Sequence, residues 1–266
     1  MRAQPGCLVL KAPPQGPDLP AGEHLIPFSV MLPPNIPSSF ERSHAAGQGS
    51  VRYYVKANIV RDWKWDYKVK EHIMVNGICD LNLLPTAKLE GNVTGQKNLC
   101  CLCCKSGPIT ASLHTNRTGY VGGELVHFTA EVENLTSKEM DATYLSLVEV
   151  VVLKASKYKK RQLETAVERL TRGERILAGD SLHWQGSLRL PALAPSGLAG
   201  HCSIIDLQYQ LRLIVDPSGP SYDLVVSLPL LLGTIPLQEA IPGLTSSYDT
   251  QFGGGFTLPP PPDQFK

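Results

Sequence analysis

Between residues 108 and 232, strand-like stretches return seven times, and this recurrence commits the chain to an antiparallel β-architecture. The stretches are 108–115, 124–133, 143–155, 162–170, 181–190, 202–215 and 222–232. Gly122-Gly123, Arg172-Gly173-Glu174, Ala178-Gly179-Asp180 and Asp216-Pro217-Ser218-Gly219-Pro220 separate them. Glycine gives those turns their backbone freedom, and proline ends ladder pairing. Strands broken by turns at this spacing predict two antiparallel sheets packed as a sandwich. Residues 162–170 also read as a short helix, with strand the preferred reading.

Upstream, the cleanest signal is at 50–60, where Val51, Tyr53, Val55, Ala57 and Ile59 alternate with Arg52, Tyr54, Lys56 and Asn58. Period-two alternation predicts a half-buried strand. Further strands are predicted at 24–32 and 68–75, with a proline-rich turn at 33–40 between the first of them and the alternating segment. Residues 81–85 close this unit, and the polar, glycine-containing stretch after them reads as a linker. The resulting division is 1–22, proline-rich and disordered; 23–86, a partial β-domain; 87–106, a cysteine-rich linker; 107–236, a complete sandwich; and 237–266, a flexible Gly/Pro-rich tail.

Composition excludes several classes. With 42% hydrophobic and 18% charged residues, the 266-residue chain balances like a soluble globular protein, and a net charge of +1 gives no overall field for nucleic acid. The longest apolar stretch, 224–235, is short and holds Pro229 and Gly233, so no membrane-spanning helix is expected. The first residues lack the apolar centre of a secretory signal. Seven cysteines, four of them at Cys100, Cys101, Cys103 and Cys104, do not form a disulfide pattern and favour a reducing, cytoplasmic setting. The sequons at Asn92, Asn116 and Asn134 are then silent. The seven histidines are scattered, and Ser181 and His183 have no placed acid, so the chain reads as no enzyme and needs no cofactor.

Three clusters stand out. Cys100, Cys101, Cys103 and Cys104 are either half-buried thiols, a reversible palmitoylation site, or a zinc or redox module. Adjacent cysteines point apart in a strand and Cys79 and Cys202 are isolated, which disfavours a metal. Residues 51–70 carry Arg52, Lys56, Arg61, Lys64, Lys68 and Lys70 against Asp62 and Asp66, a local charge of +4, interleaved with Trp63, Trp65 and Tyr67. Residues 154–161 carry Lys154, Lys157, Lys159, Lys160 and Arg161 with no acid, at a predicted hairpin tip. Each basic cluster reads either as a solvated strand face that blocks edge pairing or as a surface for an acidic partner or lipid headgroups.

Several segments together resemble the α-arrestins, the arrestin domain-containing proteins. They are Leu19-Pro20-Ala21-Gly22-Glu23-His24, Pro27-Phe28-Ser29-Val30-Met31-Leu32-Pro33, Gly49-Ser50-Val51-Arg52-Tyr53-Tyr54-Val55-Lys56-Ala57, the cysteine cluster running into Pro108, Cys202-Ser203-Ile204-Ile205 and Leu228-Pro229-Leu230-Leu231-Leu232-Gly233. The likeness spans roughly 22–237 and implies an all-β fold of arrestin-like, immunoglobulin-like sandwiches, one partial and one complete. It implies an adaptor in endocytic trafficking and ubiquitin-dependent down-regulation of membrane receptors or other cargo, peripheral at plasma membrane and endosomes. A retromer-type trafficking scaffold is the nearest rival within the same fold. The resemblance also implies WW-containing ubiquitin ligases of the HECT type as partners, recruited by Pro-Pro-x-Tyr motifs. Here Pro259, Pro260, Pro261 and Pro262 run into Asp263-Gln264, which weakens that expectation. The family's strands before Leu19 are expected to be missing, leaving an apolar face uncovered.

Overall fold

The computed structural model describes residues 21–33, 35–44, 47–61, 63–99, 107–155, 159–172, 174–199 and 202–238. Cys100, Cys101, Cys103, Cys104 and Lys157, and the expectations for 1–20 and 239–266, lie outside those residues. In chain order the strands are β1 (Phe40–His44), β2 (Gly47–Val51), β3 (Tyr53–Ile59), β4 (Tyr67–Ile73), β5 (Gly91–Lys97), β6 (Ile109–Thr115) and β7 (Gly119–Val121), then β8 (Leu125–Asn134), β9 (Met140–Lys154), β10 (Lys160–Arg172), β11 (Ser181–Arg189), β12 (Ile205–Pro217) and β13 (Leu224–Gly233). The architecture is all-β, and among the described residues no helix is long and apolar enough to cross a membrane.

Strands β5 to β13 form the sandwich. One sheet runs β10-β9-β12-β13-β7 and the other β11-β8-β6-β5. Every pairing is antiparallel except the short contact of β7 with β13. Alternate residues turn inward: Ile109, Ala111 and Leu113 from β6, Val126, Phe128, Ala130 and Val132 from β8, and Leu207, Tyr209, Leu211 and Leu213 from β12. Phe128 meets Trp184 edge-on, with ring centroids 5.1 Å apart. Each such large apolar side chain stabilises the fold by roughly 1.5–3 kcal/mol relative to exposure. Residues 162–170, for which a short helix is the other reading, lie within β10, which has a bulge between Ala166 and Glu168.

Two expectations need correction. The stretch 87–106 is not wholly linker, because β5 pairs along its length with β6 and completes the second sheet. Its inward positions include Gly91 and Gly95, so no apolar alternation marks it in the sequence. The glycines are required by close approach: a Cβ on Gly91 would stand 2.5 Å from Thr115 Oγ1 and 2.9 Å from Leu228. The segment 24–32 is not a strand; it has no ladder partner among the described residues, and Leu25 and Met31 are exposed. Pro27 also removes a ladder donor there.

Ahead of the sandwich, β1 pairs with β2 and β3 with β4 as two separate ribbons. The first rests on the sandwich: the Arg42 guanidinium pairs with the buried carboxylate of Glu149, and Gly49 abuts Leu153 and Ile205. The base of the second is fastened by the Tyr53 hydroxyl, which donates to the Pro37 carbonyl at 2.6 Å, and by the Ser39 amide donating to Val75 at 2.7 Å. Short 3-10 turns, Leu81–Leu83 and Pro85–Lys88, then bury Leu81 and Ala87 against Leu237.

Candidate partner-binding surface

Among the described residues the β3–β4 ribbon is exposed at nearly every position. Opposed residues of an antiparallel pair share a face. Tyr53 and Ile73, Ala57 and Val69, and Ile59 and Tyr67 therefore lie on one face. Tyr54 and His72, Lys56 and Lys70, and Asn58 and Lys68 lie on the other. The alternation at 50–60 predicts one buried face, yet Val55, Ile59, Tyr67, Val69 and Ile73 are all exposed. Among the described residues β3 and β4 pair in a ladder only with each other.

The polar face is cationic by placement. Lys56 stands directly opposite Lys70, and Lys68, opposite Asn58, is two rungs toward the tip on the same face. Like charges opposed across a ladder oppose pairing. Lys70 is partly accommodated by the Tyr54 ring, 4.0 Å from its ammonium, and Tyr54 meets His72 edge-on at 6.1 Å. Other predicted residues are already engaged. Arg52 forms a charged pair with Glu41 at the ribbon base, with Nε to Oε2 at 3.1 Å. That hydrogen bond holds the Glu41 carboxyl below its usual range. Lys68 shares Asp66 at 3.5 Å with Asn58, and the Asn58 hydrogen bond, then Lys68, lowers the Asp66 carboxyl. Lys64 lies in the loop that turns β3 into β4.

The second predicted cluster sits at the β9–β10 turn, on a different sheet from the ribbon. There Lys154 is opposed to Lys160, and Arg161 to Leu153. The turn closes with the Ala155 amide donating to the Lys159 carbonyl at 2.9 Å. An acid is present after all: Asp206 of β12 lies 3.5 Å from Lys154. Sequence spacing could not show this, because the ladder brings the two together from 52 positions apart. Lys160 and Arg161 project from the exposed start of β10.

His183 takes its acid from the neighbouring strand, Glu131 at 3.3 Å, on an exposed outer face. Another pair, His114 and His127, lines a shallow polar depression with Gln185 and Ser187. Among the described residues no three His, Cys, Asp or Glu side chains gather as a metal site, and Cys79 and Cys202 are free thiols. Sequence reading names Lys70 only within the basic stretch and passes over Tyr54; ladder register is the signal that sets Lys70 against Lys56.

Residues 105–237 match the family model described as arrestin (or S-antigen), C-terminal domain, and residues 8–82 match that of the arrestin (or S-antigen), N-terminal domain. The amino-terminal match begins ahead of Leu19, so the likeness reaches further upstream than expected. The chain is 30% identical over 248 residues to arrestin domain-containing protein 17 of Caenorhabditis elegans, covering 91% of this chain and 55% of that protein. It is 31% identical over 242 residues to arrestin domain-containing protein 4 of Homo sapiens, covering 86% and 53%. Arrestin domain-containing protein 1 of Mus musculus is 29% identical over 237 residues, covering 87% and 52%. The chain thus spans about half the length of the curated relatives it matches. With two arrestin models matched in order and an all-β sandwich beneath the second, this chain belongs to the α-arrestin family of arrestin domain-containing proteins.

Proposed function

We propose that this chain is a non-enzymatic adaptor in endocytic trafficking and ubiquitin-dependent down-regulation of membrane proteins, working in the cytoplasm at the surface of plasma membrane and endosomes. Its cargo contact is an acidic or phosphorylated receptor tail. The observation that carries the reading is the opposed pair Lys56 and Lys70 on an exposed ribbon face. Two like charges held rung to rung work against the ladder, and an anionic partner between them removes that cost. The β9–β10 turn, with Lys160 and Arg161, is a second basic contact. Family membership supplies the adaptor class, and the stretch 259–262, without a following tyrosine, offers WW-type ligases a weak handle.

The test is binding of the whole chain to a fluorescent receptor-tail peptide bearing phosphoserines. Replacing Lys56 and Lys70 by Gln should weaken binding about tenfold or more, charge-assisted contacts being worth roughly 1.5–3 kcal/mol each. The loss should be steepest at low salt, where exposed charges are least screened. Equal affinity in the double variant would remove the ribbon from cargo recognition.

A further inference from the structure

The far end of the same ribbon carries a feature that acidic-tail binding leaves unused. Trp63 and Trp65 in the β3–β4 loop are 103% and 92% exposed, and Val60 beside them is 73% exposed. Among the described residues no hydrogen bond or ring contact engages either indole. The chain's remaining tryptophan, Trp184, is buried in the sandwich core, as these residues usually are for much of their surface. Arg61 Nε donates to the Trp65 carbonyl at 2.9 Å, and Trp63 takes a left-handed backbone with φ of 60°. Asp66 is turned back onto the ribbon by Asn58 and Lys68 at 3.4 and 3.5 Å, while Lys64 and Arg61 remain beside the indoles.

Large amphipathic rings flanked by cations match one environment well. At a membrane surface an indole seats its apolar body at headgroup level with its N–H still wet, and lysine and arginine beside it meet anionic lipid. We propose that Trp63 and Trp65, with Arg61 and Lys64, form a membrane anchor at the tip of the β3–β4 ribbon that seats this chain on an anionic bilayer. This deepens the adaptor reading and rests on it, since an adaptor for membrane cargo works at that surface. A second copy is a poor occupant, because tip-to-tip contact would bring together two sets of cations. A soluble acidic peptide would satisfy the cations and leave two indoles in water. The placement also fits: seven-residue strands at about 3.4 Å per residue put the tip about 20 Å beyond the ribbon base.

The experiment uses the whole chain with phosphatidylcholine vesicles, with and without phosphatidylserine, some carrying brominated acyl chains. The account expects a blue shift and bromine quenching of tryptophan emission on phosphatidylserine vesicles only. Trp63→Ser with Trp65→Ser should abolish the quenching and lower vesicle binding about tenfold or more, leaving Trp184 emission and phosphopeptide affinity unchanged. Arg61→Gln with Lys64→Gln should lower vesicle binding and flatten its salt dependence. Unaltered vesicle binding by the tryptophan variant overturns the anchor. So does an emission shift produced by phosphopeptide without lipid, which assigns the indoles to cargo, or by protein concentration alone, which assigns them to a second copy. Loss of phosphopeptide binding in the Lys56/Lys70 variant with quenching intact leaves the anchor standing and bears on the cargo contact alone.

Discussion

Asn134 shows how much a single side chain can carry in a sandwich. It is fully buried at the end of β8. Its amide nitrogen donates to the carbonyls of Lys138 at 2.8 Å and Leu177 at 2.9 Å, and its oxygen accepts from the Thr136 hydroxyl at 2.7 Å. Replacement by Ala removes these bonds from a buried site, although the Leu177 carbonyl keeps the Asp180 amide and the Lys138 carbonyl keeps the Thr136 hydroxyl, each at 3.1 Å, and it should lower stability by about 1–3 kcal/mol in urea unfolding. A loss under half a kilocalorie would mean that water replaces the amide. In the sequence Asn134 is only a sequon, because its partners on the Leu177 side lie 43 positions away. Glu164 gives a pH signature. Arg212 Nη1 stands 2.6 Å from it, and that hydrogen bond holds the Glu164 carboxyl below its ordinary value. A lowered folded value means the pair stabilises the fold above the ordinary carboxylate range and stops doing so as pH falls through the folded value. Acid unfolding of Arg212→Gln should therefore lose part of the wild-type rise in stability between strongly acid and neutral pH. Parallel profiles would show the pair to be neutral.

At the scale of elements, the strands that were legible are those whose inward residues are large. β6, β8, β12 and β13 alternate buried and less buried residues almost without exception, and their apolar period can be read directly. β5 was illegible because its ladder needs glycine where Thr115 and Leu228 come close, and glycine leaves no period. Gly91→Val should overpack this edge and cost about 1–3 kcal/mol, read as a drop in melting temperature. An unchanged melting temperature would mean that β5 is not fixed in the sheet. The β1–β2 ribbon escaped notice for another reason: Phe40 and Val51, its apolar pair, bracket charged and polar residues whose burial comes from β9 rather than from each other. In the β3–β4 ribbon the alternation was plain, but its two faces are both exposed, so the pattern that normally reports burial here reports an uncovered surface.

Across the whole molecule, stability and recognition are separated. The β5–β13 sandwich holds one continuous apolar core, and its outer faces are tied by local ion pairs such as Arg212 with Glu164. The β3–β4 ribbon stands apart from that core with its lysines opposed and its apolar residues exposed. Of the candidate site, the charge excess at 51–70 was legible as composition; which lysines face each other, and that Arg52, Lys68 and Lys154 are paired with Glu41, Asp66 and Asp206, needed the fold. The central claim is that the ribbon recognises an anionic partner while the sandwich serves as its scaffold. Amide hydrogen exchange of the whole chain, with and without the phosphorylated tail peptide, tests it most directly. Exchange reports local opening, so a partner held on the ribbon should slow exchange in β3 and β4 and leave β12 and β13 unchanged. Slowed exchange confined to β12, β13 or β6, with none in the ribbon, would contradict the account.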